Sequence, residues 1–174
     1  PRFADLLGGT DLALRVNGYV IVGMSLAAAG GSWLANHLPS VLSDRPPRAA
    51  AVALLIAAAA MVGLAAAGHF VAAVAAFLVL HLAIATAGVL EAELLHERVP
   101  TERRATVVAT LSLSQQSGNL LSSLVLARGA NAAGIPLAWL IAAVTFVVAA
   151  GLVAAISTDR APVTHAHPHP ERVA

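Results

Sequence analysis

Long stretches without charge make up most of this sequence, and short charged clusters separate them. Asp, Glu, Lys and Arg are absent from 16–43, 49–90, 105–127 and 129–158. A helix needs about 20 apolar residues to cross the hydrocarbon core of a bilayer. Three of these stretches therefore fit one crossing each, and 49–90 fits two. The pattern predicts an all-α, polytopic membrane protein with five transmembrane helices.

The breaks between the spans carry residues that end helices. Ala67-Gly68-His69 forms a hinge between the second and third spans, and Pro100 stops a helix that continues beyond the third span. A juxtamembrane loop outside the cytoplasm is expected at 1–16, a loop at 127–134, and a disordered cytoplasmic tail at 159–174. The five predicted spans are about 17–36, 48–67, 70–90, 105–126 and 135–156.

Composition narrows the protein class further. The segment Ala49 to Ala67 is apolar on all sides, whereas a strand of a membrane β-barrel alternates apolar and polar residues. The absence of Cys excludes disulfides and thiolate metal sites. There is no P-loop, dinucleotide fingerprint or HExxH motif. We therefore expect neither an enzyme nor a bound cofactor.

Arginine placement predicts the orientation. With five spans, seven Arg residues fall on one side of the membrane and Arg2, Arg15 and Arg128 on the other. The Arg-rich side should be cytoplasmic, with the C-terminus inside and the chain in the inner (plasma) membrane. Because the sequence starts at Pro1, we expect a piece of a longer protein whose N-terminal part is a partner of this one.

The fourth predicted span carries most of the polarity inside the membrane. Ser112, Gln115, Asn119 and Ser122 recur at steps of three, four and three residues, so they share one helix face, and Gln116 widens it. Amides in hydrocarbon must be paired or face an aqueous cavity. Two interpretations stay open: the row lines a cavity, which the amides favour, or it bonds to neighbouring helices, which the serines favour.

Two further polar residues, His81 and Ser25, lie near the middle of their predicted spans, as Gln115 does. At about 1.5 Å per residue, His81 lies about 14 Å and Gln115 about 15 Å from the cytoplasmic side. Transporters place their substrate and ion sites near the midplane, and a histidine there is able to accept a proton. The alternative is a neutral histidine bonded to a neighbour. In the first span, Ser25 is a further cavity candidate, while Gly23 and Gly30-Gly31 indicate close helix packing.

The cytoplasmic segment 91–104 mixes charges of both signs. Glu93, Arg103 and Arg104 belong either to a solvated loop or to ion pairs that open and close as helices move. The run from Glu93 to Ser112, with its P-x-E-x-R-A-T pattern, resembles the loop between helices 10 and 11 of major facilitator superfamily transporters of the efflux type.

This resemblance implies that the chain is helices 8 to 12 of a twelve-helix transporter, with helices 9 and 12 outside and 8, 10 and 11 towards the cavity. The element between helices 8 and 9 departs from the family pattern, because Pro47 stands where Gly is usual and no Gly lies four residues before Asp44. Asp44 and Arg45 remain there as gating candidates.

We therefore expect part of a secondary transporter that exports a small solute by alternating access, driven by a proton or solute gradient. Its partners would be the lipid bilayer, a small-molecule substrate and the missing N-terminal half, with no nucleic acid. The alternative is a polytopic membrane protein without transport, either a membrane-embedded enzyme or a scaffold. Three alternating histidines, His165, His167 and His169, favour a disordered tail over a metal site.

Overall fold

The computed structural model describes residues 10–37 and 46–156, and helices are the only regular secondary structure within them. This confirms the all-α fold class. The five helices are α1 (Thr10–Asn36), α2 (Pro46–Ala66), α3 (Phe70–Arg98), α4 (Thr101–Ala133) and α5 (Ile135–Ile156).

Four of the helices are long and apolar enough to cross a membrane. Large aliphatic side chains lie exposed on them, including Val52 and Leu55 on α2 and Val144 and Leu152 on α5. Helices pair their own backbone groups, so such surfaces are compatible with a hydrocarbon environment. These features indicate a membrane-embedded protein. The segments that qualify as spans are Gly18–Asn36, Pro47–Ala66, Phe70–His96 and Ile135–Ala155.

The fourth predicted span is less apolar than the other four. Its residues, 105–126, are helical within α4, but α4 is not among the helices apolar enough to span a membrane by composition. The physical reason is the polar row itself, which replaces about one residue per turn with Ser, Gln or Asn. Five crossings therefore remain a prediction, while four apolar helices are an observation.

Helix packing follows a simple order. α2 lies between α3 and α5, α1 packs on α3, and α4 packs on α5. The centre of the bundle is rich in alanine, and Ala50 and Ala57 on α2 are completely buried. Small side chains let helix backbones approach closely where van der Waals packing replaces the hydrophobic effect. α1 and α4 thus occupy the two ends of the row of packed helices.

Two of the breaks between helices lie where the sequence predicts them. Residues 67–69 connect α2 to α3, and α3 ends at Arg98 just before Pro100. The break between α4 and α5 is shorter than expected. It consists of Gly134, whose φ of 87° is in a region that favours glycine.

Two helices extend past the bounds of their predicted spans. Residues 10–16, expected in a loop, belong to α1, and residues 127–133, also expected in a loop, belong to α4. Hydropathy marks where a helix leaves the bilayer, but it does not mark where the helix stops. Neither segment contains proline, so nothing in the backbone ends the helix there. The predicted tail at 159–174 and most of the loop at 37–48 lie outside the described residues, as do Asp44 and Arg45.

Candidate functional site

The polar row of α4 lies on an exposed surface. Ser112, Gln115, Gln116 and Asn119 are all exposed, and none of the described α4 residues is buried. Ser122 and Ser123 both donate to the backbone carbonyl of Asn119, at 3.1 and 2.8 Å. Such bonds to the preceding turn satisfy hydroxyl groups inside one helix without a second helix.

The amide side chains of the row differ from the serines. Among the described residues, no hydrogen bond holds the side chains of Gln115, Gln116 or Asn119. α4 packs on α5 near its C-terminal end, where Leu126 joins the core and Gly129 approaches Ile141. The described part of this chain therefore contains no helix that pairs with the amides, and the row is open to whatever surrounds α4.

His81 is half-buried in α3 and has a defined local arrangement. Its Nδ1 lies 2.9 Å from the backbone carbonyl oxygen of Phe77, one turn earlier. The imidazole and the Phe77 ring have centroids 4.3 Å apart and planes tilted by 52°. At 3.6 residues per turn, His81 lies about 100° or more around the helix from Leu80, Ala83 and Ala87, which face the core. It therefore occupies a side of α3 that α2 does not cover.

The structure does not bring His81 and the amide row into contact. α3 and α4 follow each other in sequence, yet they are not among the helix pairs that pack closely. A shared depth fixes one coordinate only, and the lateral positions of the two helices separate the residues. Their common role in one site stays a prediction.

Ser25 is exposed on α1 and donates to the carbonyl of Ile21 at 3.1 Å, within its own helix. The close packing expected of the small residues is confirmed for two of them. A side chain at Gly23 would meet Leu78, and one at Gly31 would meet the backbone of Leu82. Gly30, in contrast, borders open space.

Sequence reasoning missed Thr86. This residue is buried in α3, and its hydroxyl lies 3.0 Å from the carbonyl oxygen of Gly31 and 2.9 Å from that of Leu82. A threonine within an apolar stretch was a visible signal, but its partner on α1 depends on how the two helices cross.

The charged segment 91–104 is only partly described. Glu93 and Arg103 are exposed, whereas Arg104 donates from Nη2 to the backbone carbonyl of His96 at 3.3 Å. The described partner of Arg104 is therefore the end of α3 and not a carboxylate. This contact joins α3 and α4 across Val99 and Pro100, which supports a positional role for Arg104 at the junction.

An open groove of about 460 Å³ lies between α2 and α5. Its lining consists of aliphatic side chains from both helices, with Leu55 and Val62 on one side and Leu140 and Val148 on the other. It lacks the few polar groups that orient a ligand in a typical small-molecule site. The groove is therefore apolar, whereas the row on α4 is polar.

No group of three or more potential metal ligands occurs among the described residues. The three tail histidines lie outside them. The chain matches no protein-family model, no curated protein and no solved structure at a significant level.

Proposed function

We propose that this chain is part of a secondary active transporter of the major facilitator type, which exports a small solute by alternating access. The observation that carries the proposal is the polarity and exposure of α4. It is the most polar of the five helices, and no described helix of this chain covers its amides. A row of amides next to four apolar helices is expected where a helix borders a hydrated path.

The sequence pattern supports the same proposal. The run from Glu93 to Ser112 resembles a cytoplasmic loop of this superfamily, and it occupies the end of α3 and the start of α4. His81 lies on a side of α3 that α2 leaves uncovered. We further propose that the protein lies in the inner (plasma) membrane with its C-terminus in the cytoplasm, as the arginine distribution implies.

The second candidate is a polytopic membrane protein without transport activity. A membrane-embedded enzyme needs catalytic side chains that face each other at one depth. Among the described residues, His81 and the α4 serines are the candidates, and α3 and α4 do not pack closely. Two serines of α4 are also bonded to their own helix. These observations favour the transporter over the enzyme.

The proposal is tested by replacing Gln115 and Gln116 with Leu in the full-length protein. Export of a panel of lipophilic fluorescent dyes is then followed in vesicles that carry a proton gradient. A matched control replaces Ser114 and Ser117 with Leu, because these exposed serines lie on another face of the same helix. We expect gradient-dependent export to fall in the glutamine variant and to persist in the control. Unchanged export in the glutamine variant, or no export by the unmodified protein, contradicts the proposal.

A further inference from the structure

We propose that the groove between α2 and α5 binds the acyl chain of an anionic phospholipid, and that Arg48 binds the phosphate group of the same lipid. The inference rests on the apolar spanning helices and on the lining of the groove. It does not depend on transport. It assigns a lipid site to the surface of the helix bundle.

The lining of the groove suits an apolar chain. It consists only of alanine, valine and leucine side chains, so it offers no hydroxyl, amide or charged group. Ala58 and Ala143 are buried where the two helices pack, while Leu55, Val144 and Val148 are about half-exposed at the sides. A polar ligand would lose its hydrogen bonds to water there without replacement, whereas a hydrocarbon chain has none to lose.

The exposed face of α2 connects this groove to Arg48. Arg48, Leu55 and Val62 are spaced by seven residues, which is close to two helical turns, so they share one face. Val52 is exposed between Arg48 and Leu55, and Leu152 is exposed on α5 one turn beyond the groove. An apolar surface therefore continues from the groove to the start of α2, where Arg48 lies.

The distances along α2 match the thickness of one leaflet. At about 1.5 Å per residue, Leu55 lies about 10 Å and Val62 about 21 Å from Arg48 along the helix axis. One leaflet, with its headgroup region, is about 20–22 Å thick. A phospholipid whose phosphate lies beside Arg48 would therefore place the distal half of its acyl chain in the groove, and the chain would end near Val62.

Arg48 supplies the charge that an anionic lipid requires. It is the one charged residue of α2, and α5 has none. Its side chain is exposed, and among the described residues no hydrogen bond or ion pair occupies its guanidinium. The fork of N–H donors on a guanidinium matches the oxygens of a phosphate. In the proposed orientation, Arg48 also faces the cytoplasmic leaflet, which holds the anionic lipids.

A second copy of this chain, or another helix, is the competing occupant of the groove. Helix contacts in membranes favour small residues, which let backbones approach, or polar side chains that bond across the contact. Here the exposed sides carry bulky leucine and valine side chains, and no lining residue is polar. Such sides keep a second helix at a distance, whereas a flexible hydrocarbon chain is able to lie between them.

The test uses the full-length protein in bilayers that contain a trace of phosphatidylglycerol with a photoreactive group at the end of one acyl chain. After illumination, mass spectrometry locates the labelled residues. We expect label on the groove segments 55–62 and 140–148. In Arg48→Gln we expect about fivefold less label there, the effect of one basic residue near anionic lipid. Arg103→Gln removes an exposed arginine of α4 and should leave the label unchanged.

A second pair of variants tests the groove itself. Ala59→Phe fills the groove from an exposed position and should remove the label from 140–148. Ala75→Phe makes the same change at an exposed position of α3 outside the groove, so the label should persist. In the unmodified protein, a phosphatidylcholine probe with the same acyl chain should label the groove about fivefold less than the phosphatidylglycerol probe. This comparison decides the role of charge even if a variant does not fold.

Competition separates a lipid from a free phosphate. Excess unlabelled phosphatidylglycerol should displace the probe, and glycerol phosphate, its soluble headgroup portion, should not. Displacement by glycerol phosphate, or equal labelling by the two probes, overturns the proposal. Label spread evenly over exposed aliphatic residues such as Val71 would mean bulk lipid only. A groove without label would mean that a second copy or another helix covers it. Either of these two results also overturns the proposal.

Discussion

The hydroxyl of Thr86 on α3 donates to the backbone carbonyl of Gly31 on α1, with 3.0 Å between the oxygens. The same hydroxyl lies 2.9 Å from the carbonyl of Leu82 in its own helix. A hydroxyl has one hydrogen, so the two carbonyls are alternative acceptors. Separation of α1 from α3 would therefore leave Thr86 with a partner, and this interface is able to open without a buried unpaired donor.

Gly31→Ala tests how closely α1 and α3 approach. A Cβ at this position would collide with the backbone of Leu82, which cannot rotate away as a side chain does. We expect a loss of about 1–3 kcal/mol in the free energy of unfolding, typical of an overpacked contact. The measurement is reversible unfolding of the purified protein in detergent.

Gly30→Ala is the matched control, since Gly30 precedes Gly31 in the same helix and borders open space. Alanine is the better helix former, so this change should be neutral or stabilise by up to about 1 kcal/mol. Equal losses in both variants would show that the close approach at Gly31 is not what limits stability.

Thr86→Val tests the hydrogen bond between the helices. Valine has the shape of threonine but lacks the hydroxyl, so we expect a loss of about 0.5–1.5 kcal/mol in the free energy of unfolding. Thr86→Ser keeps the donor and should lose less. In the Gly31→Ala background, where the helices are already separated, Thr86→Val should cost less than it does alone. Additive losses would mean that the two residues do not share one contact.

The sequence was informative about this fold wherever local chemistry decides the outcome. Helix positions follow from charge-free runs and from breakers such as Pro100, because both act within a few residues. The helix ends at 10–16 and 127–133 lie beyond the predicted spans, because no proline occurs there and hydropathy does not mark where a helix stops.

The sequence predicts which types of residue make close contacts between helices, but it does not predict which individual residues make them. Small residues on α1 indicated close packing, yet only the crossing point on α3 makes Gly31 tight and leaves Gly30 open. The sequence shows the regular spacing of the amide row on α4, but it does not show which helices lie beside that row. Depth along the membrane is readable from residue number, but lateral distance between His81 and Gln115 depends on packing angles set by the whole bundle.

Cysteine labelling tests whether the amide row of α4 borders water. This chain contains no Cys, so each substitution introduces the first thiol of the segment. Gln115→Cys and Asn119→Cys should react with a membrane-impermeant thiol reagent, because they replace members of the exposed row. Leu113→Cys and Leu120→Cys lie on another face of the same helix and at similar depth, so they are the matched controls. We expect lipid to protect these two positions.

The pattern of labelling separates three arrangements of α4. Reaction of Gln115→Cys and Asn119→Cys alone means that one face is wet and the other faces lipid, as transport requires. Protection at all four positions means that the amides pair with a helix outside the described structure, because buried amides must be bonded. Reaction at all four places the whole helix in water, so α4 would not cross the membrane. Either of the last two outcomes contradicts a hydrated path along α4.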